Sequence, residues 1–165
     1  MKDFVLVSGL DISAYKNLCE VEKPVLDEDG YPKDWMHQWK PGAGMEWSES
    51  ICPGKGFPVT PNSVYEYEEV YSFHAGSYSS YSWWKSKLSE FKGDCAFQEL
   101  LDFADTEGVI GAKLSAKLRD DFNKYHEEAV IFANTIEDGG VFIEKYVKWQ
   151  KAFQIASENG AVEFH

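Results

Sequence analysis

The chain has 165 residues, of which 44% are hydrophobic, 16% aromatic and 27% charged, and its formal net charge is −12. That length allows one domain with a core large enough to fold without disulfides or metal, so we predict a single domain over residues 1–165. The acidic charge argues against a nucleic-acid partner, because phosphate binding needs a basic surface. No apolar run approaches the length needed to span a membrane, so we predict no membrane partner.

The cysteines indicate the cellular compartment in which the protein is found. Cys19, Cys52 and Cys95 are odd in number, far apart in sequence and without the paired spacing of zinc ligands. Free thiols are typical of a reducing environment. The apolar run within residues 1–9 is too short and too soon interrupted to predict a signal peptide. We therefore predict a cytoplasmic protein.

The first elements along the chain are short. Residues 4–7 form an apolar run that ends at Gly9, which predicts a strand. Asp11 or Ser13 then stands where an N-cap would begin a short helix reaching Leu18.

Residues 24–61 contain all six prolines of the chain together with Trp35, Trp39 and Trp47. Proline and glycine at this density exclude long regular elements, yet three tryptophans are untypical of a disordered linker. We predict a long ordered loop, with a turn at residues 27–30. Such a segment is either functional or a cover for the core.

Residues 64–73 alternate between aromatic and polar side chains, which predicts a half-buried strand. After the turn at Gly76, apolar residues at helical spacing predict four helices, the first ending at Gly93 and the others spanning about 97–104, 114–132 and 142–156. Residues 161–165 alternate again and are predicted to join a sheet. The fold class is therefore α+β, a small antiparallel sheet with about four helices concentrated in the C-terminal half.

The junction between the predicted strand and the next helix is the first candidate site. His74 can act as an acid, a base or a ligand near neutral pH. Gly76 lets a ligand approach the backbone, and Ser77 can cap the helix or donate a hydrogen bond. The structural alternative is that Ser77 only caps the helix, Gly76 only turns the chain and His74 bonds to a backbone carbonyl.

The second candidate is the predicted loop 105–111. Asp105 and Glu107 lie two residues apart, ahead of an apolar pair with a glycine on either side, and they could bind a hard cation or share acid–base work. A metal would need further oxygen ligands, so the metal stays undetermined, and no motif assigns a cofactor. The structural alternative is that both carboxylates are ordinary helix-end charges.

These residues support three functional hypotheses. The leading hypothesis is a binding module whose aromatic cleft, lined by Tyr78, Tyr81 and Trp83 or Trp84, takes a small molecule or a protein partner. The alternative is a hydrolase- or transferase-like enzyme that uses His74 with Asp105 or Glu107, with or without a metal. A third hypothesis is an acidic phage or host accessory protein that inhibits a partner protein through its charge.

Four stretches of the sequence carry a family resemblance: residues 74–81 (HAGSYSSY), 97–111, which end in DTEGVIG, 148–153, and 160–165 (GAVEFH). In these stretches the chain resembles a family of bacterial and phage-borne proteins with no known activity. The resemblance implies a soluble intracellular domain and assigns no cofactor, partner or functional residue. It directs attention to six positions: His74, Tyr78, Tyr81, Asp105, Glu107 and His165.

Overall fold

The computed structural model describes residues 9–103 and 107–165. The strands in this part of the chain are β1 (Leu10–Lys16), β2 (Cys19–Glu20), β3 (Gln38–Trp39), β4 (Tyr65–Glu66), β5 (Glu69–Gly76), β6 (Gly108–Gly111) and β7 (Ala161–Phe164). The helices are α1 (Gly44–Ile51), α2 (Tyr78–Lys92), α3 (Gln98–Leu101), α4 (Ala112–Lys124), α5 (His126–Ala133) and α6 (Gly139–Ala156). Among these residues no helix is both long and apolar enough to cross a membrane.

Two antiparallel sheets organise the described chain. The larger has four strands in the order β5-β1-β7-β6, and the smaller has three in the order β2-β4-β3. The predicted α+β class and the antiparallel sheet are thus confirmed. The predicted count of about four helices is too low, since the described residues contain six.

The two additional helices have local explanations. The predicted helix 114–132 divides at Tyr125, whose backbone leaves helical geometry (φ −103°, ψ 13°), and so it forms α4 and α5. Helix α1 forms inside the proline-rich segment because the run between Pro41 and Pro53 is free of proline. The segment 24–61 also contains β3 and the predicted turn at residues 27–30, where the N–H of Gly30 donates to the carbonyl of Asp27.

The strand predictions for the first half of the chain need correction. Residues 10–16 form β1 and not the helix predicted from Asp11 or Ser13 to Leu18, because β5 and β7 pair with both sides of this segment. The strand predicted over 64–73 is divided into β4 and β5. The predicted loop 105–111 contains β6, which pairs with β7, and the predicted C-terminal strand is confirmed as β7. The strand predicted at residues 4–7 lies outside the described residues.

One face of the four-stranded sheet carries the main core. Leu10, Ile12 and Ala14 alternate along β1 toward this face, where α2, α4 and α6 pack on the sheet. Trp149 of α6 lies at the centre, stacked with its ring centroid 5.7 Å from that of Trp84 on α2. This core buries the apolar stripes that the helical spacing predicted.

The opposite face of the sheet is covered over only part of its area. Tyr15, Val109 and Ala161 on this face pack against Trp39 and Tyr65 of the smaller sheet in a second cluster of buried residues. The Tyr15 and Trp39 rings stack at 4.5 Å. This cluster covers the end of β1 that contains Tyr15. The other end of β1 carries polar side chains on this face, and the candidate site lies there.

Candidate functional site

The strand register assembles a group of polar side chains on the second face of the sheet. Asp11 and Ser13 lie two residues apart on β1, so they point to the same face. Their cross-strand partners on β5 are His74 for Asp11 and Ser72 for Ser13. On the other side of β1, His165 exchanges two backbone hydrogen bonds with Asp11, of 2.8 and 2.9 Å. Residues from three separate parts of the sequence are thereby neighbours.

The Asp11 carboxylate holds the imidazole of His74. Asp11 Oδ1 lies 2.8 Å from His74 Nδ1, and both side chains are about half exposed. When Nδ1–H donates to the carboxylate, the neutral tautomer leaves a free lone pair on Nε2. This is the arrangement in which a carboxylate orients a histidine for proton transfer.

A second histidine is bonded to a serine hydroxyl. Ser13 Oγ lies 3.0 Å from His165 Nε2 and 3.1 Å from Ser72 Oγ. If the Ser72 hydroxyl donates to Ser13, then the Ser13 hydroxyl is directed at His165 Nε2. A hydroxyl within hydrogen-bond reach of an imidazole nitrogen has the geometry of a nucleophile and its base.

All five side chains border one cavity of about 320 Å³, whose remaining lining comes from Ile12 and Phe73. Ser13, which borders this cavity, is 6% exposed and belongs to β1, the strand next to the edge strand β5. We call Asp11, Ser13, Ser72, His74 and His165 the sheet-face site. It combines a small concave space with convergent polar groups, which is the usual form of a small-molecule site.

A smaller cavity of about 100 Å³ adjoins the sheet-face site through His165, and Glu107, Gly44 and Glu163 contribute to its lining. The Glu163 carboxylate accepts hydrogen bonds from the indole N–H of Trp39 (2.9 Å) and the backbone N–H of Gly42 (2.7 Å). Glu163 therefore connects the proline-rich segment to β7, two residues before His165.

Burial raises the pKa of the Glu163 carboxyl, although its two hydrogen bonds and the charge of His165 act in the opposite direction. The folded protein thus binds a proton at Glu163 more tightly than the unfolded chain does. The resulting stability is fully present below the ordinary carboxyl pKa of about 4.3 and is lost as the pH rises through the higher folded pKa.

We therefore expect the Glu163→Gln variant, which cannot ionise, to gain stability relative to the natural protein as the pH rises from 4 to 8. Urea unfolding of both proteins across this range measures the difference. A difference that is independent of pH, or that changes in the opposite direction, would contradict the raised pKa.

The structure brings together only part of the catalytic set predicted from the sequence. His74 borders the larger cavity, whereas Glu107 borders the smaller one, and His165 is the residue that both cavities share. Asp105 lies outside the described residues. The carboxylate that contacts His74 is that of Asp11, a residue that the sequence analysis did not assign to the catalytic set.

The predicted ligand-binding residues lie in different environments. Gly76 ends β5 with a positive φ of 115°, which favours glycine, and the Ser77 hydroxyl caps α2 by accepting from the N–H of Ser80 at 3.1 Å. Tyr78 is 48% exposed, but Tyr81 and Trp84 are only 2% and 1% exposed. Tyr81 and Trp84 are therefore core residues and present no surface to a ligand, in contrast to the cleft that we predicted from their aromatic character.

The sequence analysis did not assign Asp11, Ser13 or Ser72 to a site. A signal was present, because residues 10–15 alternate between apolar and other side chains with the period of a strand. Reading Asp11 and Ser13 as helix caps concealed that period. Their partners, however, depend on the pairing with β5 and β7, which a single sequence does not reveal.

Within residues 9–103 and 107–165, no group of three or more histidine, cysteine, aspartate or glutamate side chains is arranged to hold a metal ion. Comparison of the chain with family models, with curated proteins and with solved structures gives no match.

Proposed function

We propose that this protein is a hydrolase- or transferase-like enzyme, with Ser13 as its nucleophile and with His165 and His74 as its proton-transfer groups. The observation that carries the proposal is that two histidines border one cavity and that each is hydrogen-bonded to the partner an enzyme would need. The partner is a carboxylate for His74 and a hydroxyl for His165. The substrate is a small molecule with an ester or a similarly activated bond.

The first step transfers a group from the substrate to the enzyme. Ser13 Oγ attacks the electrophilic atom, and its proton passes to Nε2 of His165, 3.0 Å away. The bond to the leaving oxygen breaks, and that oxygen takes a proton from Nε2 of His74 in its protonated form. In this form Nδ1–H donates a hydrogen bond to the Asp11 carboxylate, whose Oδ1 lies 2.8 Å away.

The second step restores the enzyme. His74, now neutral, takes a proton from water or from an acceptor alcohol, whose oxygen attacks the group on Ser13. The bond to Ser13 Oγ breaks, and His165 returns its proton to that oxygen. Both histidines and the serine regain their initial protonation states. With water as acceptor the reaction is hydrolysis, and with an alcohol it is transfer.

A fluorophosphonate reagent tests the proposal without knowledge of the substrate. Ser13 Oγ forms a bond to phosphorus, fluoride leaves, and His165 takes the hydroxyl proton. We expect one adduct by intact mass, located at Ser13 by peptide sequencing, with no adduct in Ser13→Ala and a rate at least about tenfold lower in His165→Ala.

Ser63 supplies the matched serine control, because its hydroxyl contacts Thr60 and Glu20 and no histidine. The Ser63→Ala variant should react at the rate of the natural protein. An adduct on another serine, or no adduct on a protein whose folding is intact by circular dichroism, would overturn the assignment of Ser13.

A binding module that uses an aromatic cleft is the second candidate function. A separate cavity of about 250 Å³ has Ser80, Trp83, Asp138 and Val141 in its lining, and Trp83 is partly exposed there. Tyr78 lies nearby in sequence and is half exposed. A ligand bound in this cavity would protect Trp83 from a fluorescence quencher and would do so equally well in the Ser13→Ala variant, which separates binding here from chemistry at the sheet-face site.

A further inference from the structure

We infer that the proline-rich segment presents a docking surface for a protein partner whose own surface is apolar at the centre and basic at the rim. The docking surface consists of Val25, Leu26, Trp35 and Met36, and we call it the hairpin surface. Its evidence is the exposure of these large apolar side chains, the fixed backbone beneath them and the acidic charge around them. The inference goes beyond the proposed catalysis and does not depend on it.

The hairpin surface exposes large apolar side chains to solvent. Trp35 is 73% exposed and Met36 is 65% exposed, and Val25 and Leu26 are exposed as well. Tryptophan and methionine are enriched where one protein contacts another, and burial of such side chains supplies much of the binding energy. Trp39, four residues beyond Trp35, is buried in the second cluster. The segment therefore uses one tryptophan for the core and presents another to solvent.

Backbone pairing brings the two parts of the hairpin surface to the same end of one hairpin. The chain folds back on itself where Leu26 pairs with Pro32. Next to this pair, the N–H of Lys33 donates to the carbonyl of Val25 at 2.8 Å. Trp35 follows Lys33 by two residues, so it lies at the open end of the hairpin together with Val25.

The backbone beneath Trp35 and Met36 is fixed by hydrogen bonds. These two residues occupy the middle of a tight turn, in which the N–H of His37 donates to the carbonyl of Asp34 at 3.1 Å. The Tyr67 hydroxyl donates to the carbonyl of Met36 at 3.0 Å and so ties this turn to the chain beyond β4. Side chains on a fixed backbone lose less conformational entropy on binding than side chains on a flexible loop.

The tip of the hairpin is fixed as well. Asp27 Oδ1 accepts hydrogen bonds from the backbone N–H groups of Asp29 and Tyr31, at 2.9 and 3.0 Å. Lys40 Nζ donates to the carbonyl of Gly30 at 3.0 Å. The hairpin is thus an ordered element, although most of its side chains are exposed.

The chain around the hairpin surface is acidic. Residues 20–37 have a net charge of −4 with histidine neutral, since they contain two lysines and six carboxylates, those of Glu20, Glu22, Asp27, Glu28, Asp29 and Asp34. Apolar side chains among carboxylates favour a partner that offers apolar contact together with lysine or arginine.

The same charge argues against the other occupants of an exposed apolar surface. An anionic membrane or a nucleic acid would bring more negative charge to the carboxylates, and so would a second copy of this acidic chain. The occupant that complements both the apolar and the acidic character of the surface is a basic protein segment.

A random library of short peptides displayed on phage tests the inference, because it offers acidic, neutral and basic sequences to the same protein. We expect the enriched peptides to be basic with apolar residues, and to bind at least about tenfold more weakly to Trp35→Ala by fluorescence anisotropy. Trp47→Ala is the matched control, since Trp47 is an exposed tryptophan of α1, and it should bind like the natural protein. A failure to enrich basic peptides, or equal binding to Trp35→Ala and the natural protein, would overturn the inference.

Two pairs of charge reversals locate the electrostatic attraction. The double variant Glu22→Lys/Glu28→Lys changes exposed positions beside the hairpin surface, and Glu127→Lys/Glu137→Lys makes the same change in net charge at exposed positions of the C-terminal half. The first should weaken peptide binding by at least about tenfold and the second by less than about threefold. Equal losses would show attraction by the whole chain and would overturn the assignment to the hairpin surface.

Two measurements on the natural protein and on Trp35→Ala address the other occupants. Neither protein should sediment with phosphatidylglycerol vesicles, and light scattering should give both the same mass. Vesicle binding or a dimer that Trp35→Ala abolishes would overturn the inference in favour of a lipid surface or a second copy. The Ser13→Ala variant should bind the selected peptides normally, so this test and the test of the proposed catalysis fail independently.

Discussion

Replacing Trp149 with alanine should lower the free energy of unfolding by about 3–5 kcal/mol, the range found when a large buried aromatic side chain is removed from a core. Trp149 is fully buried, and its ring packs against rings from three other elements. Those neighbours, with centroids 5.2 to 5.7 Å away, are Phe73 of β5, Tyr81 and Trp84 of α2, and Phe164 of β7. The cavity left by alanine would remove the ring contacts that α6 makes through Trp149 with the sheet and with α2.

Urea unfolding measures this loss, and two further variants interpret it. Trp149→Phe should lose less than the alanine variant, because it retains ring contacts and removes an indole N–H that is buried without a partner among the described residues. Trp47 on α1 is 47% exposed, so Trp47→Ala should change stability by less than about 1 kcal/mol. A Trp149→Ala loss as small as that of Trp47→Ala would mean that the main core does not depend on this residue.

Replacing His74 with alanine should reduce turnover of an activated ester by about 10²–10⁴-fold, the contribution of a positioned acid–base group. Asp11→Asn should also reduce turnover, because an asparagine cannot hold the imidazole with a charge-assisted hydrogen bond as a carboxylate does. Initial rates with a nitrophenyl ester, measured after purification under conditions in which the variants remain folded, give both values.

The chain contains a matched control for this pair. His37 Nδ1 lies 2.8 Å from Asp34 Oδ1, which is the same contact as in the Asp11–His74 pair, but His37 is on an exposed turn away from the sheet-face site. His37→Ala should leave turnover unchanged. If His37→Ala and His74→Ala reduce the rate equally, the reaction is nonspecific imidazole chemistry and not catalysis at the sheet-face site.

The sheet-face site also shows how the register of paired strands brings polar side chains together from distant parts of the sequence. Asp11 and His74 are 63 positions apart in sequence, and Ser13 and His165 are 152 apart. Each pair meets because β1 lies between β5 and β7 in the sheet. A one-residue slip of β1 would turn Asp11 and Ser13 toward the core, so the apolar alternation that places Leu10 and Ile12 in the core also keeps the polar pair on the opposite face of the sheet.

The helical part of the fold was the part best predicted from the sequence. Ser77 was expected as a possible cap for α2 and Gly93 as its end, and the structure has both at the ends of that helix. The apolar spacing through Phe142, Tyr146 and Trp149 predicted the buried face of α6, which the structure confirms. These features are local, since a helix satisfies its hydrogen bonds and forms its stripe within a few residues.

The sequence by itself determined the α+β class, the main apolar segments and His74 as a candidate, because each follows from composition or from spacing within a short window. Tertiary structure alone decided that residues 10–16 form a central strand, that Tyr81 and Trp84 are buried, and that the carboxylate beside His74 is Asp11. A strand completes its hydrogen bonds with partners elsewhere in the chain, so its pairing, and every side-chain contact that depends on the pairing, is fixed only when the whole sheet forms.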